Sequence, residues 1–278
     1  MDWLDALILG VVQGLSEYLP ISSSGHLEIF KQILGLDLNS DSSLEFSVML
    51  HVATVLSTVV VLWREFYPLC VSFFTIRRDY NFYYVCKILV SCIPVAIVGL
   101  CFKDFVESFF GGDLFVVGVC LCVTALLLCF AYFFRTRPAL LGHTAEGRDI
   151  TWIDAFVIGC AQAVAVLPGL SRSGTTIATG ILLGDNREKM ASFSFLMVII
   201  PILGEGLLDM KKMIAPAADA VTQASGADIS LTAIIVGFVA AFLVGCAACK
   251  WMISIVKKGK LVWFAVYCAV MGIVCMCW

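Results

Sequence analysis

"LPISSSGHLEIF", residues 19–30, interrupts an apolar run that otherwise reads from about 4 to 34 as a membrane helix. Hydrocarbon offers no partner for backbone N–H and C=O groups, so a break of this kind must face protein or water. A second apolar run, about 152–184, is broken in the same way by "VLPGLSRSG" at 166–174. Both predict a re-entrant hairpin in which one helix runs to a proline-containing turn and a second starts at the serines, which are favoured N-caps. Helix N-termini present unpaired N–H groups and the positive end of the macrodipole. Two such ends converging near the bilayer midplane would bind an anion, phosphate above all.

The composition supports a membrane setting. Of 278 residues 61% are hydrophobic and only 14% are charged, with a mean hydropathy of +0.99, beyond the ~45–50% apolar content of soluble domains. Six uninterrupted runs reach the length a span requires, at about 44–62, 83–101, 114–134, 190–208, 229–249 and 261–277. The start, "MDWLD", lacks the basic region of a signal peptide, so no cleavage is expected. A net charge of −3 argues against a nucleic-acid partner. Thirteen cysteines fall almost entirely inside apolar runs, where a free thiol behaves as a small hydrophobe. Cys246 and Cys249 form a CxxC without a second ligand pair, which reads as helix packing rather than zinc or redox chemistry.

Shifting the chain by 149 residues aligns 2–35 with 151–184 at ten identities, among them Trp3 with Trp152, Asp5 with Asp154, Gln13 with Gln162, Ser22 with Ser171, Ser24 with Ser173 and Gly25 with Gly174. This reads as a duplication, 1–134 and 151–278. A re-entrant hairpin followed by three spans crosses an odd number of times, so the halves should be inverted. Loop charges give an independent test. Arg64, Arg77, Arg78, Arg135, Arg137, Arg148, Arg187, Lys189, Lys250, Lys257, Lys258 and Lys260 fall on one side, and Lys103, Lys211 and Lys212 on the other. By the positive-inside rule both termini, with the loop around Asp37 and Asp41, should lie outside. The expected fold is therefore an all-α polytopic membrane protein of six transmembrane helices and two re-entrant helical hairpins, arranged as an inverted-topology repeat.

The side chains placed on this symmetric frame differ between the halves. Glu17 pairs with Val166, Ser23 with Arg172 and His26 with Thr175. One half supplies an acid and an imidazole, the other a permanent cation. Gln13 and Glu17, four apart, share a helix face. Glu17 and Arg172 admit a structural ion pair, but charge at this depth is costly enough that function is the default. Ser22, Ser24, Ser171 and Ser173 are caps or ligands. His51 and Glu205 lie in apolar runs, where packing or a local hydrogen bond is the simpler reading.

"VVQGLSEYLPISSSGHL" at 11–27 and "LPGLSRSGTT" at 167–176 resemble the two signature motifs of the undecaprenyl pyrophosphate phosphatase family, the integral-membrane lipid phosphatases linked to bacitracin resistance. The resemblance extends over essentially the whole chain, including "FSFL" at 193–196. It implies that Gln13 and Glu17 fill an (E/Q)xxxE pair and that Ser22, Ser23, Ser24 and His26 form the serine-histidine turn. It also implies that Pro168, Gly169, Ser171, Arg172, Ser173 and Thr176 form a PGxSRSxxT motif. The implied activity is removal of the terminal phosphate of undecaprenyl pyrophosphate, regenerating the monophosphate carrier of cell-wall synthesis in the bacterial cell membrane, with a divalent cation, Mg²⁺ or Ca²⁺, as cofactor. Gln13 leaves one carboxylate fewer than the acidic form of that motif.

Together these expectations make Glu17, Ser23, His26 and Arg172 the catalytic candidates, with Glu17 also holding the metal. Gln13, Ser22, Ser24, Gly25, Ser171, Ser173, Gly174, Thr175 and Thr176 are the candidate diphosphate-binding set. Ser23, His26 and water remain open as nucleophile. The partners expected are a polyprenyl diphosphate, membrane lipid and a second copy of the chain as a homo-oligomer. A secondary transporter or polyprenyl-phosphate flippase is the alternative, because inverted repeats with broken helices are also a transporter architecture.

Overall fold

A computed structural model describes residues 1–36, 40–102, 105–106, 109, 114–140, 147–204, 206 and 229–278. Asp37, Lys103, Glu205, Lys211 and Lys212 lie outside these residues. The described chain is helical apart from one isolated bridge between Arg148 and Asp185. The helices are α1 (Trp3–Ser16), α2 (Ser23–Ile33), α3 (Ser40–Val61), α4 (Trp63–Phe74), α5 (Tyr80–Cys101) and α6 (Leu114–Ala131). They continue with α7 (Trp152–Val164), α8 (Arg172–Leu183), α9 (Arg187–Met197), α10 (Leu231–Lys257) and α11 (Val262–Cys277). A wide five-residue turn, Tyr132–Thr136, extends α6.

Among the described residues three helices are long and apolar enough to cross a membrane: Tyr80–Cys101, Leu114–Thr136 and Leu231–Lys257. Phe46–Val61 and Trp63–Phe74 pass the same test together but meet at 90°, which makes a fourth candidate. The segment after α3, expected as a loop carrying Arg64, is thus a helix. Trp63, Tyr67 and Phe74 are exposed along it, as in a helix lying in the membrane interface. The run at 190–208 is also not one uninterrupted helix. α9 ends before Val198, three residues ahead of Pro201, and the chain is helical again over 199–204. Proline lacks an N–H, so the ladder loses a bond there. α11, at 16 residues, is shorter than a full span.

Positions separated by the 149-residue offset have matching surroundings. α1 opens on a capping box of Asp2 and Asp5, and α7 on one of Thr151 and Asp154. α1 packs along α10 while α7 packs along α5, and α6 lies against α11. These contacts are close because small residues line them. A Cβ on Gly10 would stand 2.4 Å from the Gly237 carbonyl oxygen, one on Gly159 2.3 Å from that of Ser91, and one on Gly118 2.6 Å from that of Gly272. Helices in lipid gain by such backbone approach because no hydrophobic force drives them together. Gly118→Ala should therefore destabilise the bundle by about 1–3 kcal/mol. Gly99→Ala, where the added methyl meets nothing within 4 Å, should hold or gain up to about 1 kcal/mol. Melting temperatures in detergent check the contrast.

Outside the spans, the stretch before α7 straps the α8–α9 connection. Arg148 N–H donates to the Gly184 carbonyl at 3.0 Å and Asn186 N–H to the Arg148 carbonyl at 2.9 Å. The Arg148 guanidinium reaches Asp154 at 2.8 Å. Beneath the strap Asp185 is 3% exposed, close to the carboxyl of Asp154 and, among the described residues, without a basic group bonded to it. Burial, followed by the charge of Asp154, pushes its pKa up to about 7. A carboxyl that holds its proton more tightly folded than unfolded lowers stability as pH rises from about 3.8 to about 7, and the loss is complete above that. Asp185→Asn should therefore melt above the unsubstituted protein at about pH 8, with the difference closing towards about pH 4. A detergent melting series across that range tests the sign.

Candidate active site

The two broken segments meet. Residues 17–22 join α1 to α2, and 165–171 join α7 to α8. A Cβ on Gly25 would stand 3.1 Å from the Gly169 Cα, and a Cβ on Gly174 would stand 3.1 Å from the Pro20 Cβ. Under the 149-residue offset these are the same contact made twice. Ser173 Oγ adds a bond to the Leu19 carbonyl at 3.3 Å. Gly169 adopts φ +89° against the Val117 carbonyl oxygen, a conformation and a closeness that a side chain would oppose.

Serines cap both second helices. Ser22 Oγ accepts from Gly25 N–H at 3.3 Å, and Ser171 Oγ from Gly174 N–H at 3.1 Å. Ser22 does so at φ +71°, a left-handed value that costs a non-glycine residue roughly 1–2 kcal/mol. The cap, the short loop and the turn above it together hold that conformation. Both capping serines are buried, whereas Ser23, Ser24 and Arg172, one or two residues further along, are partly open.

Between the tips lies Glu17, its side chain 8% exposed. One oxygen, Oε1, receives the Arg172 guanidinium at 3.2 Å. The other, Oε2, accepts from Ser23 Oγ at 2.8 Å and from Gln13 Nε2 at 3.0 Å. Gln13, Glu17, Ser23 and Arg172 thus form one connected cluster, with a carboxylate from the first tip paired to a cation from the second. The adjoining cleft is lined on its polar side by Glu17, Thr54, Thr58, Arg172, Ser173 and Ser194, and opens onto Val55, Phe195, Val198 and Ile202. A charged mouth with an apolar wall suits a lipid that carries an anionic head.

His26 stands outside this cluster. Its Nδ1 lies 2.8 Å from the Ser22 carbonyl oxygen, which can only accept, so Nδ1 carries the hydrogen. Nε2 then accepts from the Tyr267 hydroxyl at 2.7 Å. With both nitrogens engaged, the ring ties the first tip to α11. Thr175, its counterpart, is buried, its hydroxyl without a partner among the described residues, and Thr176 bonds Ser194 Oγ at 2.6 Å beneath the second tip.

His51 instead approaches the acid, its Nε2 3.7 Å from Glu17 Oε2. Tyr18 fixes the turn from below, its hydroxyl 2.6 Å from the Thr54 carbonyl oxygen and 2.9 Å from Thr58 Oγ1. The sequence carries a signal for these neighbours: Ser47, His51, Thr54 and Thr58 recur every three or four residues in an apolar helix, a polar stripe on one face.

A helical protein with several apolar, span-length helices, whose broken helices meet over an acid, a serine and an arginine, belongs to the class of integral-membrane proteins. The family model described as "Bacitracin resistance protein BacA" matches residues 6–274, and the chain belongs to that family. A protein of Bacteroides fragilis named undecaprenyl-diphosphatase is 53% identical over 99% of this chain and 97% of its own length. Proteins of the same name from Bacteroides thetaiotaomicron and Carboxydothermus hydrogenoformans are 52% and 37% identical, each over 98% of this chain and over 97% and 96% of their own lengths.

Tyr267→Phe removes only the hydroxyl that donates to His26, and should cost about 1 kcal/mol, as for one net hydrogen bond. A melting-temperature comparison in detergent reads it.

Proposed function

We propose that this chain is an undecaprenyl-diphosphatase. It removes the terminal phosphate of a C55 polyprenyl diphosphate and returns the monophosphate carrier to cell-wall synthesis. The observation that carries the site assignment is Glu17 held between Ser23 and Arg172 at the meeting point of two helix N-termini.

In this reading the diphosphate enters the mouth between the tips while the polyprenyl chain follows the apolar wall at Val198 and Ile202. Arg172 spends one nitrogen on Glu17, and a guanidinium has further donors for phosphate oxygens. The N-termini of α2 and α8 carry first-turn N–H groups and positive dipole ends that would stabilise charge on the transferring phosphoryl group. Ser23 is the nucleophile because its hydroxyl already donates to a carboxylate able to take the proton. His26 positions Ser22, and through it the first turn of α2.

The site fits a hard divalent cation in one specific respect. Gln13 Oε1 is buried and, among the described residues, has no hydrogen-bond partner, and it belongs to the amide that contacts Glu17. Gln13 and Glu17 would hold Mg²⁺ or Ca²⁺ together with the diphosphate, since such ions take oxygen ligands and Mg²⁺ commonly uses one or two carboxylates plus substrate phosphates. Bound there, the ion would neutralise charge on the diphosphate.

For the fold, the reading is six crossings and two re-entrant hairpins in two inverted halves, with both termini outside the cytoplasm of a bacterial cell. The exchange of partners, α1 on α10 and α7 on α5, supports it, as does the doubled contact between the tips. The same exchange favours a polyprenyl-phosphate flippase as a second reading. Phosphate release by the purified protein in detergent separates the two, because flipping requires a sealed bilayer. The protein should release phosphate from undecaprenyl diphosphate, lose that activity with a chelator and regain it with Mg²⁺ or Ca²⁺. Arg172→Ala should lower kcat/KM by about 10²–10³, the usual cost of one preorganised donor. No release from intact protein, with lipid phosphate crossing sealed vesicles, would replace the enzyme by the flippase.

A further inference from the structure

At the far end of α8 from the candidate active site, two arginines are brought together with no acid between them. Arg135 is the last residue but one of the candidate span Leu114–Thr136. It lies in the wide turn Tyr132–Thr136, a rare geometry that is frequent at functional sites. Its guanidinium rests over the end of α8, where a Cβ on Gly184 would stand 2.6 Å from the Arg135 Nη2. Arg187, the first residue of α9, places its Nη2 3.5 Å from the Arg135 carbonyl oxygen. The length of α8, 12 residues and so about 18 Å, separates this junction from Arg172.

Both guanidiniums keep their charge at ordinary pH, so their approach is repulsive. The negative dipole end of α8 offsets part of the charge on Arg135. Arg187 has no such relief, because it opens α9 and sits at that helix's positive end. Burial, and after it the charge of Arg135, lowers the pKa of Arg187. The acids nearby are engaged elsewhere: Asp149 with Lys189, Asp154 with Arg148 and Glu188 with Lys257. Among the described residues neither Arg135 nor Arg187 has an acidic partner. Two guanidiniums at one point suit a phosphate, whose oxygens accept forked N–H donors.

The surroundings select the kind of phosphate. Phe130, Phe133 and Phe134 are exposed on the last turns of the span, directly before Arg135. Phe130 stacks on Phe134 with ring centres 5.6 Å apart, and the Arg137 guanidinium lies over the Phe133 ring at 5.6 Å. An exposed phenyl surface that runs up to a basic cluster at the end of a span fits acyl chains on the rings and a charged head on the arginines. At the 149-residue offset Arg187 is matched by Leu38 and Asn186 by Asp37. The basic character is therefore peculiar to one of the two equivalent junctions.

We propose that Arg135 and Arg187 form a binding site for the headgroup phosphate of an anionic glycerophospholipid, apart from the site of the reaction. The site borrows no group from the Glu17 cluster and stands whether or not the phosphatase reading does.

The probe is phosphatidylglycerol, added to the full-length protein in a neutral detergent, with bound lipid counted by native mass spectrometry. Phosphatidylcholine, whose head carries no net charge, is titrated beside it. The first phosphatidylglycerol should bind more tightly than phosphatidylcholine. The double substitution R135Q/R187Q should weaken it about 30-fold, about fivefold for each charge removed. Arg135→Gln alone changes an exposed side chain, should show the fivefold loss, and carries the test if the double variant does not fold. K258Q/K260Q removes the same charge from another exposed stretch and should leave the first binding step within about twofold. The proposal is overturned if Arg135→Gln and R135Q/R187Q keep the original affinity, if K258Q/K260Q weakens binding equally, or if phosphatidylcholine binds as tightly. It is also overturned if inorganic phosphate without lipid raises the melting temperature of the unsubstituted protein but not of the arginine variants, which would make the pair a site for free phosphate.

Discussion

The bond between Arg172 and Glu17 joins residues 155 positions apart across the two broken segments, at 3.2 Å and largely out of solvent. Isolated charges in this environment are expensive, and each is tolerable chiefly because the other is present. The pair explains why the turns face one another and why proline and serine interrupt helices that composition alone would leave whole. A structural ion pair would saturate both partners. Here the carboxylate also holds a serine hydroxyl and the guanidinium borders a cleft, so the interaction binds the tips together without using all the donors of the guanidinium.

Around that pair, small residues set the distances. Gly25 against Gly169 and Gly174 against Pro20 let the tips touch backbone to backbone. Gly10, Gly118 and Gly159 bring the surrounding helices equally close. Tyr18 and His26 hold the first tip from two directions, one towards α3 and the other towards α11. Packing and capping thus hold the cluster from both sides.

Much of this was legible in the chain. The apolar runs, the two interruptions and the offset between them locate every named helix except α4, although α9 ends well before 208 and α10 runs on past 249. The asymmetric substitutions Ser23 for Arg172 and Glu17 for Val166 point to the residues that meet. α4 was missed because "WREFYPLC" mixes charge with aromatics, and neither a span nor a loop has that composition. The break after Met197 was missed because hydropathy ignores the lost N–H of Pro201. From sequence His26 reads as a catalytic candidate and His51 as packing or a local hydrogen bond; only the fold shows which ring nitrogens are already occupied and that His51 approaches Glu17. The polar stripe Ser47, His51, Thr54, Thr58 was available as a periodicity, but such a stripe equally fits local bonds to the helix's own carbonyls, which Thr54 and Thr58 also make.

The right-angle bend after Val61 acts as a depth gauge. If α4 marks the membrane surface, then His51, eleven positions before Leu62, lies about 16 Å beneath it along α3 at 1.5 Å per residue. Half of a hydrocarbon core is about 15 Å. On the proposed reading, a lipid would have to sink its phosphates from the headgroup plane almost to the bilayer centre to meet Arg172, and the protein would have to supply there the solvation that water gave at the surface.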